Sequence, residues 1–454
     1  METVKNFQLS REFLDRFEEA IAQKNAAFIR ASVEGIDSAD ITSVLYEFDT
    51  ASCKYVFDIL PPETNAEILN DLDEDVLEDF LTVFTVEDIA KYVAFLPSDD
   101  AADILFQLPQ KRRDEVISLI ENEEKAHNIL DLLRYEEDVA GGIMAKELIK
   151  ANANWTVKQC IEEIRKQAEN VDKIYSVYVV NNKDKLLGKV SLKKILLSDD
   201  STKVEDIFDD DFVSVDTTMK DVEVAQIMQK YDFDSVPVVD ARGRLVGRIT
   251  VDDVLDVITE TAEEERQMMS GVSSDVEEDD KVWTISKARL PWLIIGMIGG
   301  IFGAQFVGLF EEQIILIPAV AFFIPLITAT GGNVGIQSSS IVVQTLASAN
   351  VLIDSMGKRL LKVFLVAVVN GVILALMVFG AILLINRDQP LALTVSLALF
   401  SVVLLASFMG TITPLVLNKL GINPALASGP FITTTNDLLG LAVYFLVAHT
   451  LYNL

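Results

Sequence analysis

The stretch PLITATGGNVGIQSSS, residues 325–340, places paired glycines, two amides and a run of hydroxyls inside a segment that is otherwise apolar. Polar side chains and irregular backbone survive at membrane depth where they line protein or water. Packing of helices on small residues would explain the glycines but not the amides and hydroxyls. We therefore expect Gly331, Gly332, Asn333 and Gln337 to border an aqueous path, with backbone that leaves the regular helix at the glycines.

Five apolar segments around this stretch have the length of membrane-spanning helices. About 20 apolar residues suffice to cross a bilayer as a helix, and short loops separate the five segments. They cover residues 291–309, 315–346, 361–385, 391–417 and 427–451. The pattern predicts an all-α, five-helix membrane domain over residues 288–454.

Asp437 is the carboxylate that we place deep in a predicted span, beside Thr433, Thr434, Thr435 and Asn436. A charge at that depth is costly and usually has a function, although a hydrogen bond to a neighbouring helix is the simpler alternative. Oxygen ligands favour magnesium, calcium or manganese over zinc or copper. Because one Asp per chain is too few for a closed cation site, we predict a homodimer in which two carboxylates flank a hydrated divalent ion.

Charge is distributed very unevenly along the chain. The formal net charge is -31, yet residues 288–454 contain only six Lys/Arg and five Asp/Glu. The first 287 residues therefore carry the acidic excess, which repels nucleic acid and attracts cations. The two cysteines and two histidines lack the spacing of a zinc or redox site.

The basic residues also predict how the chain lies in the membrane. They alternate between successive loops, and the first 20 residues lack the apolar core of a cleaved export signal. We expect a multi-pass protein of the plasma (inner) membrane in a lipid bilayer, with the amino-terminal domains in the cytosol and the carboxyl terminus outside.

The soluble part divides into three predicted pieces. Residues 1–135 show apolar positions at helical spacing, which predicts an acidic helical superhelix. Residues 136–257 contain a repeat, VVNNKDKLLGKVSL at 179–192 and VVDARGRLVGRITV at 238–251, each predicting strand, turn, strand and helix. Residues 258–287 form a connecting helix and linker whose dense carboxylates favour a cation-responsive element over a solvated face.

The repeat resembles a tandem pair of CBS modules, α/β domains that often bind adenine nucleotides. Gly247, Thr250 and Asp253 match the phosphate-binding and ribose-binding motif of that family, which implies an ATP site at the second module. The first copy has Lys194 where the acid would stand, so a nucleotide site there is not expected.

Nearly the whole chain resembles the MgtE family of magnesium channels. Besides the CBS pair, the resemblance rests on YEEDVAGGIM (135–144), TGGNVGIQS (330–338) and NPALASGPFITTTNDLLGLAVYF (423–445). It implies a homodimer with a helical N domain, a CBS pair, a plug helix and five membrane helices, and a transport function rather than an enzymatic one. The chain departs from the family at Asn423, often an Asp, and at Gln344, often a basic residue.

The resemblance also assigns roles to individual acids. Asp437 matches the acid at the ion-selective site of the pore. Six others match acids that bind regulatory magnesium between the cytosolic domains: Asp99, Asp103, Asp253, Asp256, Glu264 and Glu265. The expected function is magnesium influx, shut off when cytosolic magnesium binds these acids.

Other functions stay open from the residues alone. Asp437 is also compatible with a proton- or sodium-coupled secondary transporter of divalent cations, and the CBS pair with a nucleotide-sensing receptor that transports nothing. An intramembrane protease would need a second aspartate or a nucleophile with its base, which the spans lack.

Overall fold

The computed structural model describes residues 9–168, 173–273, 281–347, 356–427 and 429–452, together with Phe7, Val171 and Val276. The chain forms two units, Met1–Val257 and Ile258–Leu454. Leu454, which we predict to lie on the outer side of the membrane, is not among the described residues. Residues 274–275 and 277–280 of the linker and residues 354–355 of the basic loop at 354–362 are also not described.

Helices fill the first half of unit one, as predicted. Polar caps such as Asn25, Asp49 and Thr85 accept a backbone N–H at helix starts, which satisfies donors that a helix leaves unpaired. Phe57 and Phe84 are buried, with ring centroids 4.9 Å apart. The helices described here are α1 (Arg11–Ala22), α2 (Ala26–Val33), α3 (Ser38–Leu45), α4 (Thr50–Phe57), α5 (Pro62–Asn70), α6 (Glu74–Val83), α7 (Val86–Val93), α8 (Ser98–Phe106), α9 (Gln110–Ser118) and α10 (Glu123–Leu132).

The predicted repeat folds into two three-stranded sheets of the same topology. In each, the first strand pairs in parallel with the second, which pairs antiparallel with the third. The strands are β1 (Ile149–Asn152), β2 (Val177–Val180), β3 (Leu186–Val190), β4 (Val215–Asp216), β5 (Ser235–Val239) and β6 (Leu245–Thr250). The accompanying helices are α11 (Val157–Gln167), α12 (Leu192–Leu196), α13 (Asp221–Tyr231) and α14 (Val251–Ser270), the last containing the boundary between the units. This confirms the α/β pair.

Long apolar helices make up the rest of unit two. They are α15 (Val282–Gly308), the short α16 (Glu311–Leu316), α17 (Ile324–Ala347), α18 (Met356–Ile385), α19 (Gln389–Lys419) and α20 (Pro430–Tyr452). Within the described ranges, five candidate spans are long and apolar enough to cross a membrane: Val282–Gly308, Pro318–Leu346, Leu360–Ile385, Gln389–Lys419 and Pro424–Tyr452. The predicted five-helix class is confirmed, and the observed helices extend a few residues past several predicted bounds.

Helix α19 lies at the centre of this bundle and packs against α17, α18 and α20. Its inward residues, including Val395 and Val402, are fully buried. The Tyr444 hydroxyl of α20 donates a 2.7 Å hydrogen bond to the carbonyl of Val320. This apolar core fixes the position of α20, the helix that carries Asp437.

The prediction of irregular backbone at residues 331–335 is wrong, because α17 runs through them as a continuous helix. The glycines instead permit close packing. A side chain at Gly335 would collide with the Asn436 amide of α20, and one at Gly410 of α19 would collide with the Gly335 carbonyl. Small residues at such positions let membrane helices approach closely.

Candidate functional site

A cavity of about 540 Å³ opens around the Asp437 carboxylate in unit two. Its walls come from four regions of that unit: the end of α14, α15, α17 and the start of α20. The lining residues are Met269, Ser270, Gly296, Ile336, Gly429, Pro430, Thr433, Thr434 and Asp437. A carboxylate, three hydroxyls and two glycines thus meet in one space.

Asp437 is half-buried on α20 beside Gly332 of α17. A Cβ atom at Gly332 would stand 3.7 Å from Oδ1 of Asp437 and 3.1 Å from Cγ2 of Thr433. Within the described ranges, no hydrogen bond or ion pair reaches the Asp437 carboxylate. A cation stabilises an unpaired carboxylate in such surroundings. The alternative considered above, a hydrogen bond from Asp437 to a neighbouring helix, is not observed among the described residues.

The threonines beside Asp437 present oxygen to the cavity. The Thr433 hydroxyl donates a 3.0 Å hydrogen bond to the Gly429 carbonyl one turn earlier, so its oxygen lone pairs remain available to accept from a bound water. Thr434 packs its methyl group against Gly299 of α15, where any side chain would collide with it. Gly299 therefore fixes the distance between α15 and α20.

The other predicted pore residues do not line this cavity. Asn436 is 1% exposed and wedged against Gly335, and neither amide atom has a hydrogen-bond partner among the described residues. Asn333 and Gln337 are exposed on α17 and do not line the cavity. Gly331 and Gly332 are buried at the contacts of α17 with α19 and α20. One chain therefore brings together Asp437, Thr433 and Thr434 of the predicted set.

The end of α14 is seated against the start of α20. Gly429 has a φ of +57°, and a Cβ atom there would stand 2.6 Å from the carbonyl oxygen of Met269. The Asn423 amide donates to the Met268 sulfur at 3.4 Å. Asn423, which departs from the family's usual Asp, thus contacts the connecting helix directly.

In unit one, an acidic cluster contains residues from both the helical domain and the second CBS module. Asp99 and Asp100 occupy the first turn of α8, while Asp253 lies near the start of α14. Asp99 is 6% exposed and its Oδ1 atom has no partner among the described residues. The Asp253 carboxylate accepts from the Thr250 N–H at 2.8 Å and from the Thr250 hydroxyl at 2.7 Å.

Burial and mutual repulsion raise the pKa values of these acids. Burial, then Asp100 and Asp253, raise the pKa of Asp99 well above its ordinary value. Burial and then Asp253 raise the pKa of Asp100 to about 7. Burial raises the pKa of Asp253 to about 6, despite the hydrogen bonds from Thr250. Like charges that raise one another's pKa are relieved by a bound cation.

The remaining predicted acids are more dispersed. Asp103 and Asp256 are exposed in unit one. In unit two, Glu264 is exposed and Glu265 is half-buried on α14, where burial raises the pKa of Glu265. Among the residues that the structure describes, no group of three or more His, Cys, Asp or Glu side chains is arranged to hold a metal ion. The cluster is thus a set of acids that repel one another and would attract a cation, but they are not arranged as a complete metal-coordination site.

Two members of this region were not predicted. Asp100 follows Asp99 directly, and Glu147 accepts hydrogen bonds from the Ser98 N–H at 3.2 Å and from the Ser98 hydroxyl at 2.7 Å. The run SDDAAD, with its acids at a helix start where the helix dipole favours them, is the signal for Asp100. Glu147 has no such local signal, because its partner is 49 residues away.

The predicted nucleotide motif is present but engaged in internal contacts. Thr250 is bonded to Asp253, and a Cβ atom at Gly247 would stand 2.6 Å from the Met144 sulfur. A phosphate at this motif would therefore exchange the Thr250–Asp253 hydrogen bond for its own.

The cluster predicts a pH-dependent effect of Asp100→Asn on stability. Because the folded-state pKa of Asp100 is raised, its charge destabilises the fold above that pKa, and this penalty fades as the pH falls toward the ordinary value. In a fragment of residues 1–257, we expect the substitution to raise Tm at pH 8 by about 2–4 °C, roughly 1 kcal/mol for a unit of this size. At pH 4 the gain should be nearly absent.

Thermal unfolding followed by circular dichroism in magnesium-free buffer at both pH values measures this effect. The exposed Asp114→Asn is the matched control and should leave Tm unchanged. A gain of equal size at both pH values, or a loss at pH 8, would contradict the electrostatic account.

Three family models match the chain in the order of its structural parts. A model described as MgtE intracellular N domain matches residues 36–138, and the CBS domain model matches residues 139–199 and 204–260. A model described as MgtE, divalent cation transporter, matches residues 324–447. That last range contains α17, most of α20 and Asp437.

Known proteins resemble the chain over most of its length. A magnesium transporter MgtE of Enterococcus faecalis is 35% identical, covering 72% of each chain. One of Thermus thermophilus is 31% identical, covering 96% of this chain and 97% of the relative. A crystal structure of the cytosolic domain of the Mg2+ channel MgtE in complex with ATP is 32% identical with a TM-score of 0.50, covering 54% of this chain and 99% of that one. The chain therefore belongs to the MgtE family of divalent cation transporters.

Proposed function

We propose that this protein conducts Mg²⁺ across the membrane along a path that includes the Asp437 cavity. The observation that carries the proposal is the unpaired carboxylate beside Thr433 and Thr434 in a bundle of five apolar helices. The two relatives described above are named as magnesium transporters, which supports the choice of ion.

The cavity chemistry suits a hydrated ion. Magnesium gives up its waters reluctantly, so a site with one carboxylate and hydroxyl oxygens is expected to hold the ion through its water shell. Asp437 supplies the charge, and Thr433 and Thr434 accept hydrogen bonds from the coordinated waters. A homodimer would bring two Asp437 carboxylates, and so a charge of -2, to one Mg²⁺.

We also propose that cytosolic magnesium closes the path. The acids Asp99, Asp100 and Asp253 repel one another, and a cation between them removes that repulsion and tightens the helical domain on the CBS pair. Asp103, Asp256, Glu264 and Glu265 extend this regulatory set, as the family resemblance implies. Ions that bind the closed form more tightly than the open form shift the balance toward closure.

The end of α14 gives this regulation a physical route to the pore. It carries Glu264 and Glu265 on one turn and Met269 near its end, where Met269 and Ser270 line the Asp437 cavity. A change in the position of this helix end alters the cavity wall directly. In this proposal residues 258–287 act as the plug and connector.

Topology and nucleotide binding complete the proposal. The acidic amino-terminal domains are cytosolic and the carboxyl terminus is outside, as the loop charges favour. ATP is the ligand proposed for Gly247, Thr250 and Asp253, because the cytosolic domain of a relative was crystallised with it. A transport-free sensor is less favoured, since the relatives are named as transporters. Coupled transport is less favoured, since the solved cytosolic domain described above comes from a protein named as a Mg2+ channel.

Flux into liposomes tests the conduction path. We expect magnesium uptake by the wild-type protein at low magnesium on the cytosolic face, unchanged by an imposed proton or sodium gradient. Asp437→Ala should abolish the uptake or make it unselective among divalent ions, because the cation loses its charged partner. Glu312→Gln, an acid on the loop helix α16, is the matched control and should conduct normally. Full, selective uptake by folded Asp437→Ala would contradict the proposal.

The regulatory acids are tested by the magnesium dependence of closure. In the double variant Asp253→Asn, Asp256→Asn, we expect about a tenfold higher magnesium concentration to be needed for half-closure, because two cation partners lose their charge (each factor of ten is about 1.4 kcal/mol). Glu223→Gln, an exposed acid on α13, should behave as the wild type. An unchanged dependence in the double variant would argue against the cluster as the sensor.

A further inference from the structure

A second cavity, of about 660 Å³, lies inside unit one between the helical domain and the CBS pair. One wall is the chain around Leu96 and the start of α10, including Lys125. The opposite wall is formed by Lys146 in the chain before β1, Lys150 within β1, and Arg248 on β6. The cavity thus has contributions from both halves of the unit.

The charge of this cavity is opposite to that of its surroundings. Four basic side chains line it, and two acidic ones, Glu124 and Glu147, lie with them. Of the basic residues, Lys146 is already paired, with Nζ 2.6 Å from Asp131. A net positive space in so acidic a unit is a binding environment for an anion.

Arg248 provides the strongest sign of a missing partner. It is 9% exposed, one of its Nη atoms donates to the Lys173 carbonyl at 3.0 Å, and its guanidinium lies over the Tyr175 ring at 5.6 Å. Its Nε–H is buried with no acceptor, and no ion pair reaches it among the described residues. A buried guanidinium is stable when an anion pairs with it, and its planar fork suits phosphate oxygens.

The two remaining lysines complete the anion-binding set. The Lys125 ammonium donates to the Ala94 carbonyl at 2.7 Å and to the Leu96 carbonyl, and burial lowers its pKa. The acids Glu147, Asp100 and Asp99 lie close enough to favour the charged lysine, but burial outweighs them, and an anion in the cavity would add to the compensation. Lys150 is half-exposed, with a 3.3 Å contact to Asp184, and can turn toward a ligand at the cavity mouth.

We propose that this cavity binds a small phosphate-bearing polyanion, held by Arg248, Lys125 and Lys150. The site is distinct from the Thr250–Asp253 motif, since neither residue lines the cavity and Asp253 belongs to the acidic cluster. A ligand here contacts both the helical domain and the CBS pair, and therefore stabilises their packed arrangement by mass action. The inference goes beyond magnesium transport and does not depend on it.

Inorganic pyrophosphate is the probe, titrated calorimetrically into the full-length protein in detergent and magnesium-free buffer. We expect saturable binding by the wild type, weakened tenfold or more by Arg248→Gln and by Lys150→Gln. Lys183→Gln, an exposed lysine in the turn before β3, should bind as the wild type does. Thr250→Val reports whether the nucleotide motif contributes to the measured binding. Circular dichroism checks folding, and Lys150→Gln decides the matter if Arg248→Gln does not fold.

Three results would overturn the proposal. The first is the absence of saturable binding by folded wild-type protein. The second is undiminished binding by both Lys150→Gln and Arg248→Gln, or by Lys150→Gln alone if Arg248→Gln does not fold. The third is binding that is lost in Thr250→Val but kept in the two basic-residue variants, which would place the phosphate at the nucleotide motif. Because the readout is binding and not flux, none of these results bears on magnesium conduction.

Discussion

The need of a carboxylate for a cation inside an apolar helix bundle is the constraint on which the membrane unit depends. Asp437 has no protein partner within the described ranges, and the groups around it are hydroxyls and small residues rather than basic side chains. Such a charge is costly unless a cation balances it. The close packing that Gly335 and Gly299 allow is what holds α20 in position and keeps the acid at the cavity wall.

In unit one, carboxylates again lie where a cation would stabilise them, but here they also repel one another. Asp99, Asp100 and Asp253 lie close together, and burial and the neighbouring acids raise their pKa values. In the proposed regulation, repulsion within the cluster loosens the contact between the helical domain and the CBS pair, and a bound divalent ion strengthens it. The basic cavity around Arg248 in the same unit offers a second way to stabilise that contact, with a ligand of opposite charge.

Sequence patterns determined by length and periodicity were sufficient to predict the architecture. Five spans follow from apolar length, and the offset repeat predicted two sheets of the same topology. Features set by tertiary packing were harder to predict. The glycines of α17 serve close helix contact rather than irregular backbone, and Asn436 faces Gly335 instead of the cavity, because helix rotation depends on neighbouring helices. The roles of Glu147 and Arg248 could not be predicted, because their partners, Ser98 and Lys173, are distant in sequence and come close only in the folded chain.

The central claim, that Asp437 makes the cavity an aqueous, cation-attracting site, is tested most directly by charge-selective labelling of Thr433→Cys. The native Cys53 and Cys160 are fully buried, so background reaction should be small. We predict that a cationic methanethiosulfonate reagent modifies the new thiol faster than an anionic one, that Mg²⁺ slows this reaction, and that adding Asp437→Asn removes both effects. Equal rates for the two reagents, or a preference unchanged by Asp437→Asn, would contradict the account.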